Sequence, residues 1–265
     1  MFNNQFVEKN ENGVTYLVSE NIRARHAFAS RTGGISTGRL ASLNLGENRG
    51  DLRENVLENY ARLSKATGID TSQMAYTNQV HGNKVRAVTK DDARGHFEPL
   101  QYECDGIVTS QNGLPLICFT ADCVPVILCD DANGVIGAVH CGWRSSVADI
   151  LKKAVEEMCT LGADCRSINA AIGPAIGYCC FEVGAEVVKA CEEYIGDCAD
   201  LVTARKRGKF LLDLKTANAR RLVQLGLKEE NVSVSQSCTM CENEKFFSHR
   251  FTNGERGAQG TLISL

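Results

Sequence analysis

Among the five histidines of this 265-residue chain, two share a local setting. His81, in Asn78-Gln-Val-His-Gly82, and His140, in Gly137-Ala-Val-His-Cys-Gly-Trp-Arg144, each close a strand-like run and are soon followed by glycine. Between them in sequence lies Thr120-Ala-Asp-Cys-Val-Pro125, a strand–turn–strand with Cys123 at the bend. Side chains at strand ends are held by a rigid sheet, and small neighbours permit close approach. Two imidazoles and one thiolate suit a zinc ion that keeps one position open for water or substrate. Copper accepts the same donors. The same residues also support a thiol hydrolase, with Cys123 as nucleophile and His140 or His81 as base. Asp122 would then be an orienting carboxylate, or else a turn residue capping local backbone donors. The three positions are far apart in the chain, so ordinary core histidines and a buried thiol remain a third reading.

Arg31, Arg144 and Arg250 stand beside small-residue segments and are candidate anion clamps, because a guanidinium fork matches phosphate or carboxylate oxygens. The glycine-rich stretch 33–38 adds candidate backbone donors, but it is neither a phosphate-binding loop of the Gly-Lys-Ser/Thr kind nor a dinucleotide fingerprint. Cys238-x-x-Cys241 lacks a second pair for a zinc ribbon, and the adjacent Cys179 and Cys180 are expected not to supply it. His96-Phe-Glu98 with Cys238–Cys241 imitates a zinc deaminase signature, but Ser237 replaces its proline and the two halves lie far apart.

These residues must be positioned by a sizeable core, and the composition supplies one: 43% hydrophobic and 23% charged residues. A net charge of -3 gives no basic footprint for nucleic acid, and Arg205-Lys-Arg-Gly-Lys209 reads as a solvated loop. The N-terminus has no secretory pattern, and the apolar stretch 114–129 is too short and too interrupted to span a bilayer. Thirteen cysteines without such a signal point to a reducing cytoplasm, with most thiols acting as small core hydrophobes. Hydrophobic patterning predicts strands over 14–18, 22–28, 74–80, 84–89, 106–110, 116–120, 124–129, 135–139, 168–172, 210–214, 232–236 and 260–264. It predicts helices over 53–67, 145–158, 185–194 and 216–225. Strands cluster rather than alternate with helices, so the class is α+β with mixed sheets, and no linker divides residues 1–265.

Several ordered segments carry a family resemblance. Arg31-Thr-Gly-Gly-Ile-Ser36, Leu43-Asn-Leu-Gly46, Gln79-Val-His81, Asp105-Gly-Ile-Val108, Thr120-Ala-Asp-Cys-Val-Pro125, His140-x-Gly-Trp-Arg144, Gly173-Pro-x-Ile176, Phe181-Glu-Val-Gly184, Cys238-Thr-x-Cys241 and Phe246-Phe-Ser-His-Arg250 together resemble the YfiH-like family, also called laccase-domain or multicopper polyphenol oxidoreductase proteins. The likeness runs in order over about residues 14 to 265. It implies one α+β domain, a mixed β-sandwich flanked by helices and related in shape to cysteine hydrolases. It also implies that His81, Cys123 and His140 are zinc ligands. The implied activity is phosphorolysis of adenosine, inosine and methylthioadenosine, with deamination of adenosine. The partners would be purine nucleoside and phosphate, with Arg31, Asn44, Gln79 and Arg144 as substrate- or phosphate-binding candidates. The older implication, copper-dependent phenol oxidation, fits poorly, because a multicopper cluster needs more histidines than five. Cys141 departs from the family pattern and puts a second thiol beside a ligand. A thiol amidase or deamidase and a non-catalytic metal-binding module are the rival readings, and the oligomeric state stays open.

Overall fold

The computed structural model describes residues 2–265. In chain order the strands and helices begin with β1 (Phe6–Glu11), β2 (Val14–Ser19), β3 (Arg25–Ala29), α1 (Arg53–Thr67), β4 (Ala75–Tyr76), β5 (Val85–Ala87), β6 (Gly106–Thr109) and β7 (Leu116–Thr120). There follow β8 (Val124–Asp130), β9 (Val135–Cys141), α2 (Trp143–Val147), α3 (Ile150–Thr160), β10 (Asn169–Ile172), β11 (Glu182–Val183) and α4 (Ala185–Ile195). The chain ends with β12 (Val202–Ala204), β13 (Phe210–Leu212), α5 (Leu214–Gln224), β14 (Val232–Val234) and β15 (Gln259–Ser264).

Two mixed six-stranded sheets form, in the orders β1-β2-β3-β15-β7-β4 and β14-β10-β8-β9-β6-β5, beside a small sheet β11-β13-β12. The period-2 alternation of strands decides how they stack. On β7, Leu116 and Cys118 pack against the second sheet's Ile127, Cys129, Ile136 and Ala138, while Ile117 turns outward to α1 residues Val56, Tyr60 and Leu63. On β8 and β9, Val124, Val126, Leu128, Val135 and Val139 face the opposite way, onto α3, α4 and α5. The layers are therefore helix, sheet, sheet, helices. Both central strands are covered on both faces, which is why their sequences are apolar throughout.

Sequence-derived boundaries hold best where a local stop signal exists. Helix α1 spans the predicted 53–67 and ends at Gly68, whose φ of 69° supplies the left-handed cap. The single helix expected over 145–158 is instead α2 and α3, broken at Asp149, where φ is 63°. Arg221 fixes that break by pairing with the Asp149 carboxylate. The strand expected over 74–80 shrinks to β4, because the chain bends out of the sheet towards His81. Strand β1 was not expected. Its outer face is polar because it is an edge, and the Asn12-Gly13 turn with φ values of 52° and 81° folds it onto β2.

Candidate metal centre and its cavity

Cys123 lies in the short link that carries the chain from β7 in one sheet to β8 in the other. Asp122 takes a φ of 86°, a region that non-glycine residues avoid unless held there. The restraint is visible. Its carboxylate accepts hydrogen bonds of 2.6 Å from Thr239 Oγ1 and from the Arg250 N–H, 117 and 128 residues away. Its carbonyl accepts from the Ile176 N–H at 2.9 Å. The local capping expected for Asp122 is thus replaced by long-range anchoring that fixes the bend presenting Cys123.

His140 occupies β9 opposite Pro125, on the same side of the strand as Ile136 and Ala138. Cys141 points the other way, into the helix-side core, so the second thiol takes no part in the site. His81 sits at a bend with φ 59°. Its Nε2 is 3.9 Å from Cys123 Sγ, and the ligand atoms of His81, Cys123 and His140 all lie within 4.8 Å of one another. A tetrahedral zinc ion, with bonds of about 2.3 Å to sulfur and about 2.0–2.1 Å to nitrogen, needs these donors about 3.3–3.6 Å apart. The donor set fits in chemistry and nearly in spacing. Glycine at 142 makes room for it: a Cβ there would stand 3.0 Å from His81 Cδ2, 3.4 Å from Cys123 Sγ and 3.5 Å from His140 Cε1.

Asp105 ties the group together, and nothing in its local sequence announces that role. It is fully buried at the start of β6, and its carboxylate accepts from the N–H groups of Val80 (3.1 Å), His81 (3.0 Å) and Gly82 (2.8 Å). It also sits 2.8 Å from His140 Nδ1, while its carbonyl accepts the His140 N–H at 2.7 Å. One carboxylate thereby holds the bend of His81 and the ring of His140, leaving His140 Nε2 as the free donor. Burial works to raise the Asp105 carboxyl, but the His140 ring and these N–H groups outweigh it and hold the acid ionised. Burial likewise opposes charge on both partners across the site. Hydrogen bonding and charge from His140 and His81 nevertheless bring the Cys123 thiol down to about 6, and Asp105 and Cys123 lift His140 to about 9. Each therefore favours charge on the other, the thiolate on Cys123 and the proton on His140.

The donors open onto a cavity of about 360 Å³. Its lining includes His81, Cys123, His140, Glu47, Arg49, Arg94, Thr120 and Arg256. Seven buried side-chain polar atoms lack a partner among the described residues, and four belong to this lining: Glu47 Oε1, Arg94 Nε, Thr120 Oγ1 and Arg256 Nε. Such orphans are rare in folded proteins and mark a place for ligand or water. Burial, then the neighbouring charge of Arg49, push the Arg256 guanidinium down to about 10. Arg94, by contrast, is paired with Glu47 at 3.1 Å and stacked over Tyr76.

The polar candidates named from sequence are distributed differently from expectation. Gln79 lines the cavity, but its amide is committed to the Phe119 backbone at 2.7 and 2.8 Å. Asn44 lies behind the wall, its Oδ1 accepting from the N–H groups of Gly46 and Ala258 at 3.0 Å. Arg31 does not line the cavity; it donates to the carbonyls of Ala41 and Asn243 and stacks over Phe247. Arg144 stacks over Trp143, outside the lining, and Arg250 donates to the Glu182 carbonyl. The glycine-rich loop is closed on itself, with the Gly34, Ile35 and Ser36 N–H groups taken by Ser42 and Asn59. The guanidiniums that line the cavity, Arg49, Arg94 and Arg256, are not among the candidates the sequence offers. The Asn253-Gly254 turn just before Arg256 was the one available hint.

Residues 25–265 match the family described as multi-copper polyphenol oxidoreductase laccase. The chain belongs to that family. This laccase-domain chain is 37% identical over 253 residues to a purine nucleoside phosphorylase of Deinococcus radiodurans, covering 96% of this chain and 94% of that one. It is 35% identical over 242 residues to adenosine deaminase RL5 from an unknown prokaryotic organism, covering 88% and 90%. The crystal structure of YlmD from Geobacillus stearothermophilus superposes with a TM-score of 0.91 at 31% identity, covering 98% of each chain. The α+β class and mixed sheets agree with that likeness. In this laccase-domain chain, His26 is engaged by Ser19 and Ala24, and His96 by Tyr76. Of the histidines, His81 and His140 alone enter a metal-competent group among the described residues. No described helix is long and apolar enough to cross a membrane.

Proposed function

We propose that the chain is a metal-dependent purine nucleoside enzyme that cleaves adenosine, inosine and methylthioadenosine with phosphate and deaminates adenosine. His81, Cys123 and His140 would hold zinc, although copper accepts the same donors. The carrying observation is one cavity that combines this donor group with the guanidiniums of Arg49 and Arg256, the latter with an unpartnered Nε. The names of the relatives supply the substrate class.

In phosphorolysis a phosphate oxygen bonds to C1′ as the C1′–N9 bond breaks, and the purine leaves with the electron pair and gains a proton. Arg49 and Arg256 neutralise and orient the phosphate by charge-assisted hydrogen bonds in a partly dry site. Glu47 is held ionised by its partners and offers an acceptor to a purine N–H, while the Thr120 hydroxyl can donate or accept. Asp105 keeps the proton of His140 on Nδ1 and so keeps Nε2 available. When bound, zinc supplies Lewis acidity towards an oxygen at the open position.

A second reading, a thiol amidase, draws on the Cys123–His140 pair, whose thiolate character suits a nucleophile. Chelation separates the two. Loss of nucleoside turnover on chelation, restored by zinc and absent in Cys123→Ala, supports the metal enzyme. Turnover that survives chelation but is abolished by iodoacetamide overturns it in favour of the thiol.

A further inference from the structure

On the far side of the Asp122 anchor, four cysteines converge. Cys179, Cys180, Cys238 and Cys241 have sulfurs that all lie within 4.8 Å of one another, correcting the expectation that the adjacent pair does not supply a second pair for the Cys-x-x-Cys. The chain makes a helical turn at 177–181, with the N–H groups of Cys180 and Phe181 donating to the Gly177 carbonyl at 2.9 Å. Successive side chains of that turn straddle Cys241, at 3.5 Å from Cys179 Sγ and 3.4 Å from Cys180 Sγ.

We infer that this cluster is a second metal site, a tetrathiolate that takes one soft divalent ion of the zinc type. Zn–S bonds of about 2.3 Å make an S4 tetrahedron with edges of about 3.8 Å, which lies inside the spread observed here. Thiolate-only sets select zinc-like ions over hard cations. The surroundings are built for it. The Gly177 N–H donates to Cys238 Sγ at 3.2 Å, the kind of donor that stabilises a thiolate. Gly177 is needed for that approach, since a Cβ would stand 3.0 Å from Cys238 Cβ and 3.3 Å from both Cys179 Sγ and Cys238 Sγ. The two segments are already in register through the parallel bridge of Ala175 and Cys238 and the bond from Thr239 N–H to the Ala175 carbonyl. Lys215, in the same hollow as Cys179 and Cys238, brings positive charge beside an S4 site of net charge -2 and clamps the Ser235 and Ser237 carbonyls.

The site has a structural purpose. Thr239, between the two cysteines of the 238–241 segment, holds Asp122 and with it the bend of Cys123. An ion here pins that segment to the 177–180 turn, stiffening the support of the cavity without entering it.

The test is zinc content and thermal stability of the full chain, prepared reduced and reloaded with zinc alone. The wild type is expected to hold two zinc ions per chain, and both His81→Ala and Cys179→Ser/Cys241→Ser one each. Cobalt loading of His81→Ala is expected to give sulfur-to-metal charge-transfer absorption of a tetrathiolate. Chelation should lower the Tm of His81→Ala and leave that of His81→Ala/Cys241→Ser unchanged. One ion in the wild type with none in His81→Ala, or four freely titrating thiols in the zinc-loaded His81→Ala protein, overturns the proposal. So does a Cys180–Cys241 disulfide in metal-free protein that zinc and reductant do not displace. Because His81→Ala empties the other site, failure here leaves the proposed nucleoside chemistry untouched.

Discussion

Replacing Asp105 with Asn is the most informative single change, because the carboxylate answers four donors at once. Asn keeps the shape but has one acceptor oxygen. If that oxygen takes the place of Oδ1, the amide NH2 confronts the N–H groups of Val80 and Gly82. If it takes the place of Oδ2, the NH2 confronts His81 N–H and His140 Nδ1, forcing the His140 proton to Nε2 and cancelling its donor lone pair. Either orientation damages a histidine of the metal group. Loss of such a supporting carboxylate costs about 10–100-fold in metal affinity, or about 1.4–2.8 kcal/mol at 1.4 kcal/mol per tenfold. Two N–H donors left without an acceptor would cost about 1–3 kcal/mol each when fully buried. The His81 bend reaches solvent, so an overall stability loss of about 1–3 kcal/mol is expected. Competition with a chromophoric chelator gives the zinc affinity, and urea unfolding gives the stability. A zinc affinity within twofold of wild type, in a protein of unchanged stability, would refute the reasoning.

Three further outcomes follow from the same geometry. Arg256→Ala should raise the KM for phosphate about 10–100-fold, as expected for a charge-assisted contact of about 1.5–3 kcal/mol, while the KM for adenosine moves little; initial-rate kinetics in both substrates decides it. Gly142→Ala keeps an allowed backbone, at φ -62°, but its Cβ crowds the His81 ring at 3.0 Å, so zinc affinity should fall while urea unfolding stays near wild type. His26 is buried with Nε2 accepting from the Ser19 N–H and Nδ1 donating to the Ala24 carbonyl, and burial holds its pKa below the ordinary value. The unfolded chain therefore binds the extra proton first, so this contribution is complete above about pH 6.5 and is lost as pH falls below it. Urea midpoints between pH 7.5 and 5.5 should fall more steeply for wild type than for His26→Gln, and equal slopes would contradict the assignment.

Much of the positioning was readable from the chain because it is encoded locally. The Gly68 stop, the apolar runs of β7, β8 and β9, and His140 near the end of β9 announce themselves by residue type, whereas His81 sits on a bend beyond β4 rather than at a strand end. What escaped is encoded by tertiary contact. Asp105 heads one of the family-like segments just before β6, but only the fold shows that it answers His81 and His140 together. Arg31 and Arg256 are indistinguishable in sequence, both next to glycine-containing loops. One finds carbonyl partners and a phenyl ring, and the other is left with an orphaned Nε on a cavity wall. The kink at Asp149 depends on Arg221, 72 residues on, which no helical periodicity contains. Adjacency makes Cys179 and Cys180 look unable to substitute for a second Cys-x-x-Cys, and the helical turn that sets both beside Cys241 removes that objection.

The central claim is that the cavity joining His81, Cys123 and His140 to Arg49 and Arg256 performs chemistry on purine nucleosides. Chromatography of adenosine incubated with zinc-loaded protein, with and without phosphate, tests it most directly. The account predicts adenine that forms only with phosphate and inosine that forms without it, both missing from the Cys123→Ala control. Neither product above that control, in protein shown to carry zinc at this site, would contradict it.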